Sequence, residues 1–278
     1  MTSTTSGVLL GFLGGGNMAS SLIGGLIKGG HAAEQIVVVD PSATQRDTLA
    51  REFGVRVGDT PAAIAGAAGV VIAVKPHIVE AACRDLAPSL AADTLMISVA
   101  AGTLSQHIAQ WLGGHERVVR CMPNTPALYG VGASVLHASE RVTDTQRALA
   151  HYILAAAGSV WWVDEEHQLD AVTALSGSGP AYGFLLIEAM TDAGYTLGLP
   201  RDLAEKLAVQ TLLGSATMAQ QDDRDPAALR EGVTSKGGTT AAALSTFEQG
   251  GFRELVASAM TAARDRARAL AQPTGETT

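Results

Sequence analysis

Residues 11 to 19 read GFLGGGNMA and residues 233 to 240 read VTSKGGTT, and both leave bare backbone where a helix is about to begin. In the first, Gly14, Gly16 and Ala19 fit G-x-G-x-x-A. Gly14 permits a tight turn, Gly16 lets a pyrophosphate approach the backbone, and Ala19 lets the helix pack closely on a sheet. Leu13, Gly15, Asn17 and Met18 complete the segment, where the N-terminus of the helix faces the phosphates. Asp40 follows Ala19 by 21 residues, where an acidic side chain can grip ribose hydroxyls. Glycine-rich turns also serve merely to join strand to helix, and Asp40-Pro41-Ser42 has the composition of a plain turn. The fingerprint, its flanking elements and the acidic residue agree on dinucleotide binding.

Three further stretches carry unusual residues at what read as strand ends. Ala73, Val74, Lys75 and Pro76 close an apolar run that has no need of a lysine. Val99, Ala100 and Ala101 have small side chains, suited to the close approach of a flat cofactor. The run MPNTP sets two prolines around Asn124 and Thr125 as a stiff polar loop. Each alone reads as an ordinary connection. On one rim with the fingerprint they form a nucleotide cleft, because ligands of doubly wound sheets bind outside the carboxyl ends of the strands.

The elements that must position these residues follow from hydrophobic periodicity. Strands are expected at 8–13, 35–40, 69–74, 94–99, 117–121, 132–137 and 160–163, with helices near 17–29, 43–53, 77–91, 104–112 and 143–157. This alternation predicts a parallel sheet covered by helices. Beyond Val163 the strand vocabulary ends, and helices punctuated by SGSGP, GLP, DDRDP and KGG take over. The chain therefore reads as α/β: a Rossmann-like doubly wound sheet over 1–164, then an all-helical domain over 165–278 for substrate binding and dimerisation. Segments such as AYGFLLIEAM are apolar widely around the helix and call for cover from a second subunit.

Bulk properties narrow the function further. With 47% hydrophobic and 17% charged residues the chain is a packed globular protein. A net charge of −8 without any basic cluster argues against nucleic acid and anionic membranes as partners. Cys83 and Cys121 sit far apart in apolar strings, which suits a reducing cytoplasm. The polar start MTSTTSG lacks the charged and apolar regions of a signal peptide, QPTGETT reads as a polar tail, and no apolar run is long enough to span a bilayer.

Taken in order, GFLGGGNMA, AVKPH, SVAAG, RCMPNTPA, ALSGSGPAY, FLLIEAM and VTSKGGTT resemble the pyrroline-5-carboxylate reductases, over residues 7 to 271. The resemblance implies reduction of the cyclic imine 1-pyrroline-5-carboxylate to L-proline by hydride from NADPH or NADH, the last step of proline synthesis, with no metal. It implies that the substrate carboxylate is seated at the GGTT helix start. Ser235 would give a hydroxyl there, Gly238 and Thr239 backbone donors, and Val233 and Gly237 the surrounding surface. Thr240 would reach the imine nitrogen as the catalytic hydroxyl, and Lys75 would hold a positional role at the cofactor. Ser42 and Glu165 would also lie near the cofactor.

Two departures from the family pattern stand out. Lys236 occupies a place where the family often has proline. Asp40-Pro41-Ser42 replaces the polar and basic residues of strict NADPH users. Since Asp40 repels a 2′-phosphate and no arginine follows it directly, NADH is expected to serve at least as well as NADPH. A homodimer or larger homo-oligomer is expected, with helices 180–198 and 200–221 exchanged between subunits. A β-hydroxyacid dehydrogenase would need a lysine on its interdomain helix, and residues 176–190 hold none. A silent nucleotide-binding regulator would show a damaged second site, whereas the GGTT segment is intact.

Overall fold

A computed structural model describes residues 7–271; the polar runs 1–6 and 272–278 lie outside the described residues. The sheet has eight strands: β1 Leu10–Leu13, β2 Ile36–Val39, β3 Arg56–Gly58, β4 Gly69–Ile72, β5 Leu95–Ser98, β6 Val118–Met122, β7 Gly132–Ala138 and β8 Gly158–Trp162. Their order across the sheet is β3-β2-β1-β4-β5-β6-β7-β8. In β1, β2, β4 and β5 every residue is buried, as expected of strands covered on both faces.

Successive strand residues point to opposite faces, and so the sheet sorts its side chains into two cores. Phe12, Ile36, Val38 and Val71 meet Leu22, Ile23 and Leu26 of α1 (Asn17–Lys28), Leu49 of α2 (Ala43–Phe53) and Ile153 of the later helix Asp144–Ala155. Val37, Val39, Val70 and Ile72 meet Val79, Cys83 and Leu86 of α3 (Val79–Leu86) and Ile108 of α4 (Ser105–Trp111). Cys83 and Cys121 are buried free thiols, and burial pushes both up to about 12.

Two features differ from the sequence expectation, the direction of β7 and the presence of β3. β7 runs antiparallel to β6, with Val119 opposite Ala138 and Met122 opposite Val135, and β8 then follows β7 in parallel. The connection between β6 and β7 holds only a 3-10 turn, Thr125–Tyr129. A parallel return needs a crossover of a dozen or more residues, so this short link enforces reversal. The short edge strand β3 went unanticipated because its Arg-Val-Gly carries no apolar run.

After α5 (Asp144–Ala155) and β8, the chain is helical: α6 Gln168–Val172, α7 Gly179–Thr196, α8 Arg201–Gln221, α9 Pro226–Gly232, α10 Thr239–Gln249 and α11 Phe252–Ala271. SGSGP, expected as a helix stop, overlaps a π turn over Thr173–Gly177, in which the Ser178 N–H reaches back to the Thr173 carbonyl at 2.8 Å. Contacts divide the chain into two compact units, one running through Ser178 and resuming at Ala263, the other Gly179–Ala262. Within the second unit only Thr191, Ala204 and Ala208 are buried, while Phe184, Leu185, Leu213 and Leu255 are each more than half exposed.

Candidate functional site

The fingerprint turn owes its shape to steric necessity. Gly14 has φ +96°, and a Cβ there would stand 2.8 Å from Val74 Cγ1 and 2.9 Å from the Ala73 carbonyl. Neither the left-handed backbone nor the space allows another residue. Gly16 is the N-cap of α1 and has no side-chain cap, and a Cβ on it would meet no protein atom within 4 Å. Three backbone bonds join the strand ends. The Gly14 N–H donates to the Val39 carbonyl at 2.8 Å, Ala73 to Leu13 at 2.8 Å, and Val99 to Ile72 at 3.1 Å. These bonds bring residues 13–18, 40–42, 73–76 and 99–101 to one rim. Lys75 is exposed there, at the head of the 3-10 turn Pro76–Ile78.

Asp40 ties two parts of this rim together. One carboxylate oxygen accepts the Gly15 N–H at 2.9 Å, and the other accepts the Ser42 N–H at 2.9 Å. The side chain is thus a clasp between the glycine turn and the start of α2, where Ser42 Oγ caps the Gln45 N–H at 3.3 Å. The expectation that no arginine stands beside Asp40 is corrected. Arg46 Nη1 donates to the Asp40 carbonyl at 2.7 Å and to the Pro41 carbonyl at 3.1 Å. Arg46 stands four positions after Ser42, one helical turn, and helical side chains lean toward the N-terminus. Adjacency in sequence missed this neighbour.

The stiff loop after β6 is held through Asn124. Its Nδ2 donates to the Ser176 carbonyl at 3.1 Å, and its Oδ1 accepts the Ala133 N–H at 2.8 Å. One amide thereby fixes the loop to β7 and to the π turn. Gly177 completes that contact, since a Cβ there would run into the Met122 thioether.

Glu165 makes no hydrogen bond to residues 13–18, 40–42, 73–76 or 99–101 among the described residues; its N–H donates to Gln168 Oε1 at 3.1 Å. Strand β8 ends beside the C-terminal end of β7, which lies against the N-terminal end of β6. Glu165 is exposed and borders a cavity of about 660 Å³ shared with Ser105, Glu116, Val118, Ala138 and Arg141. Its neighbour Glu166 is the engaged carboxylate. Glu166 Oε1 accepts the Ser105 N–H at 2.8 Å and the Ser105 hydroxyl at 3.0 Å, and lies 3.3 Å from Arg120 Nη1. Nothing in the run Asp164-Glu165-Glu166 distinguishes the two, because the partners come from residues far off in sequence.

The second segment lies in the helical unit. Gly237 adopts φ +73°, which turns the chain so that Gly238 becomes the N-cap of α10 with extended backbone. The cap has no side-chain hydrogen bond, and the first turn of α10 has no acidic residue. Its leading N–H groups therefore present a positive end to an anion. A Cβ on Gly238 would collide with Ser235 Oγ and approach the Ser235 carbonyl to 3.2 Å. Thr240 is half-buried in the first turn, while Ser235, Lys236 and Thr239 are exposed. Val233 borders a small apolar groove with Met218, Ala219 and Leu229.

Comparisons with known proteins match two separate stretches of the chain. Residues 166–270 match the family described as pyrroline-5-carboxylate reductase dimerisation. Residues 9–102 match that described as NADP oxidoreductase, coenzyme F420-dependent. The pyrroline-5-carboxylate reductase of Pseudomonas aeruginosa is 49% identical over 268 residues, which cover 96% of this chain and 98% of that one. A solved structure of a pyrroline-5-carboxylate reductase from Coxiella burnetii superposes with a TM-score of 0.92 at 41% identity, covering 96% and 99% of the two chains. The NADP-bound pyrroline carboxylate reductase of Plasmodium falciparum gives 0.83 at 30% identity, covering 96% and 100%. This chain belongs to the pyrroline-5-carboxylate reductase family.

Proposed function

We propose that the enzyme reduces 1-pyrroline-5-carboxylate to L-proline, with NAD(P)H bound along the rim from Leu13 to Ala101 and the substrate at the start of α10. The pyrophosphate fits the fingerprint because Gly16 leaves open the space a side chain would fill, and the uncapped N–H groups of α1 face outward from it. Leu13 to Met18, Asp40, Ser42, Ala73 to Pro76 and Val99 to Ala101 make up the proposed cofactor set, and Glu165 is left out of it. When bound, the reduced nicotinamide supplies the hydride.

The substrate site rests on one observation: α10 opens at a glycine with neither a side-chain cap nor an acidic residue in its first turn. The Gly238 N–H, expected as a donor, is spent on the Ser235 carbonyl at 3.0 Å, so the Thr239 N–H and the Ser235 hydroxyl bind the ring carboxylate without any cationic side chain. Val233 and Gly237 shape the surrounding surface. A cyclic imine is readily protonated, and its carbon then accepts hydride directly, so the protein has chiefly to hold that carbon in a near-attack geometry and exclude water. Thr240 donates its hydroxyl to the ring nitrogen as it becomes an amine. Lys75 orients the cofactor.

Thr240→Val tests the assignment. It keeps the shape and removes one neutral hydrogen bond, worth about 1–3 kcal/mol when left unmade, so kcat/KM for the pyrroline should fall by ~10- to 100-fold. Retained kcat/KM with collapsed cofactor affinity would move the substrate elsewhere. The functional unit is a homodimer or a larger assembly, with α7 and α8 packed against a second subunit. Support comes from the exposed apolar residues of residues 179–262 and from the dimerisation family match. A reducing cytoplasm suits the two buried thiols, and no described helix is long and apolar enough to cross a membrane.

A further inference from the structure

We propose that Arg46 is the residue through which this enzyme takes up the 2′-phosphate of NADPH, so that one turn serves both cofactors. The inference rests on the cofactor rim proposed above and concerns only its adenosine end.

The guanidinium is already placed and half spent. Both N–H groups of Nη1 are directed at carbonyls, those of Asp40 and Pro41. That anchoring pins the guanidinium, half-buried, against the outer side of the turn that follows β2. The edge formed by Nε and Nη2 makes no hydrogen bond among the described residues. This edge is the fork that pairs with two phosphate oxygens at once, and an arginine held in advance loses little freedom in using it.

The surroundings of the fork also favour an anion. α2 begins at Ser42 with no acidic residue in its first turn. The Ser42 oxygen accepts from the Gln45 N–H, which leaves its own hydroxyl hydrogen to donate outward. The one carboxylate nearby, Asp40, has each oxygen occupied by a backbone N–H, from Gly15 and from Ser42. Those bonds draw its charge into the turn, and the repulsion expected from an isolated aspartate is weakened. A free ribose can still share the Asp40 oxygens, since each has a second lone pair. Phosphorylated ribose instead meets the arginine.

The experiment compares wild type with Arg46→Met, which keeps side-chain length and removes the fork. Steady-state kinetics with NADPH and NADH are combined with calorimetric binding of adenosine 2′,5′-bisphosphate and of 5′-AMP. Wild type should bind the bisphosphate more tightly than 5′-AMP, and the variant should lose that preference. The ratio of kcat/KM for NADPH to that for NADH should fall ~10- to 30-fold in the variant, the effect of one charge-assisted pair at a partly solvated site. Equal losses with both cofactors would mean that Arg46 only braces the turn, and would overturn the proposal. An undiminished preference for the bisphosphate would overturn it too. Failure of wild type to bind either nucleotide would remove the adenosine end from this rim altogether, a distinct result that takes the cofactor reading down with it. Arg46→Lys is the supporting control, since a point charge without the fork should restore only part of the ratio.

Discussion

Replacing Gly238 by alanine probes the substrate seat through a single atom. The backbone at 238 tolerates a side chain, with φ −83° and ψ 178°. The obstacle is Ser235, whose Oγ lies where the new Cβ would be. Ordinary non-bonded contacts sit near ~3.5 Å, so the hydroxyl must retreat by roughly 1 Å. If that hydroxyl holds the substrate carboxylate, the retreat removes one charge-assisted hydrogen bond, about 1.5–3 kcal/mol. KM for the pyrroline should then rise ~10- to 100-fold, with kcat little changed and stability lowered by about 1 kcal/mol or less, the cost of alanine at an N-cap. Ser235→Ala should produce a similar rise. The double variant should be no worse than either single one, because both act on the same hydroxyl. The assay is NADPH oxidation followed by nicotinamide absorbance over a pyrroline titration, with urea unfolding as control. Multiplicative effects in the double variant, or a loss confined to kcat, would refute the assignment of Ser235.

Leu185→Glu with Leu213→Glu should dissociate the assembly and abolish activity in sedimentation and kinetic measurements; a stable, active monomer would contradict the need for a second subunit. Glu166→Ala leaves Arg120, whose side chain is 5% exposed, without its carboxylate, and urea unfolding should show a loss of about 2–4 kcal/mol. Glu165→Ala, on an exposed residue, should change stability by no more than ~0.5 kcal/mol and leave the KM for NADPH alone. Burial holds the imidazoles of His31 and His137 below their ordinary value. The unfolded chain therefore binds more protons than the native one below about pH 6.5. Stability should rise with pH through that window and fall on acidification, and His31→Gln with His137→Gln should flatten the profile of thermal midpoint against pH.

The dinucleotide half was legible because its signals are local. GFLGGGNMA carries both the positive φ of Gly14 and the cap at Gly16 within a few residues, and VVIAV-type runs reveal strands covered on both faces. Strand direction is not local. The reversal at β7 depends on the link 123–131 being too short for a crossover, and sequence periodicity looks the same either way. Partners of single charged groups were also out of reach. Glu166 and Glu165 are neighbours of one chemistry, yet only Glu166 meets Arg120 and Ser105, which lie 46 and 61 residues away. Arg46 sits one helical turn after Ser42, and an adjacency reading passes over it.

The treatment of helix starts separates what holds the fold from what is offered to ligands. α2 and α9 are capped by their own Ser42 and Asp225, and α5 has a full capping box from Thr143 and Gln146. α4 has no cap of its own, but Glu166 supplies one through the Ser105 N–H. α3, α6 and α8 place Glu80, Asp170 and Asp202 in their first turns. Among the described helices with a defined N-cap, α1 and α10 are left with a glycine cap, no side-chain acceptor and no acid in the first turn. Both caps have extended backbone, with ψ −173° at Gly16 and 178° at Gly238. A self-capped helix start gains about 1 kcal/mol, so leaving α1 and α10 uncapped forgoes stability that α2, α5 and α9 keep. An anion recovers that cost on binding, because it supplies the missing acceptor at the positive end of the dipole. On the proposed reading the start of α1 takes the pyrophosphate and the start of α10 the carboxylate, each anion supplying the acceptor that its glycine cap lacks.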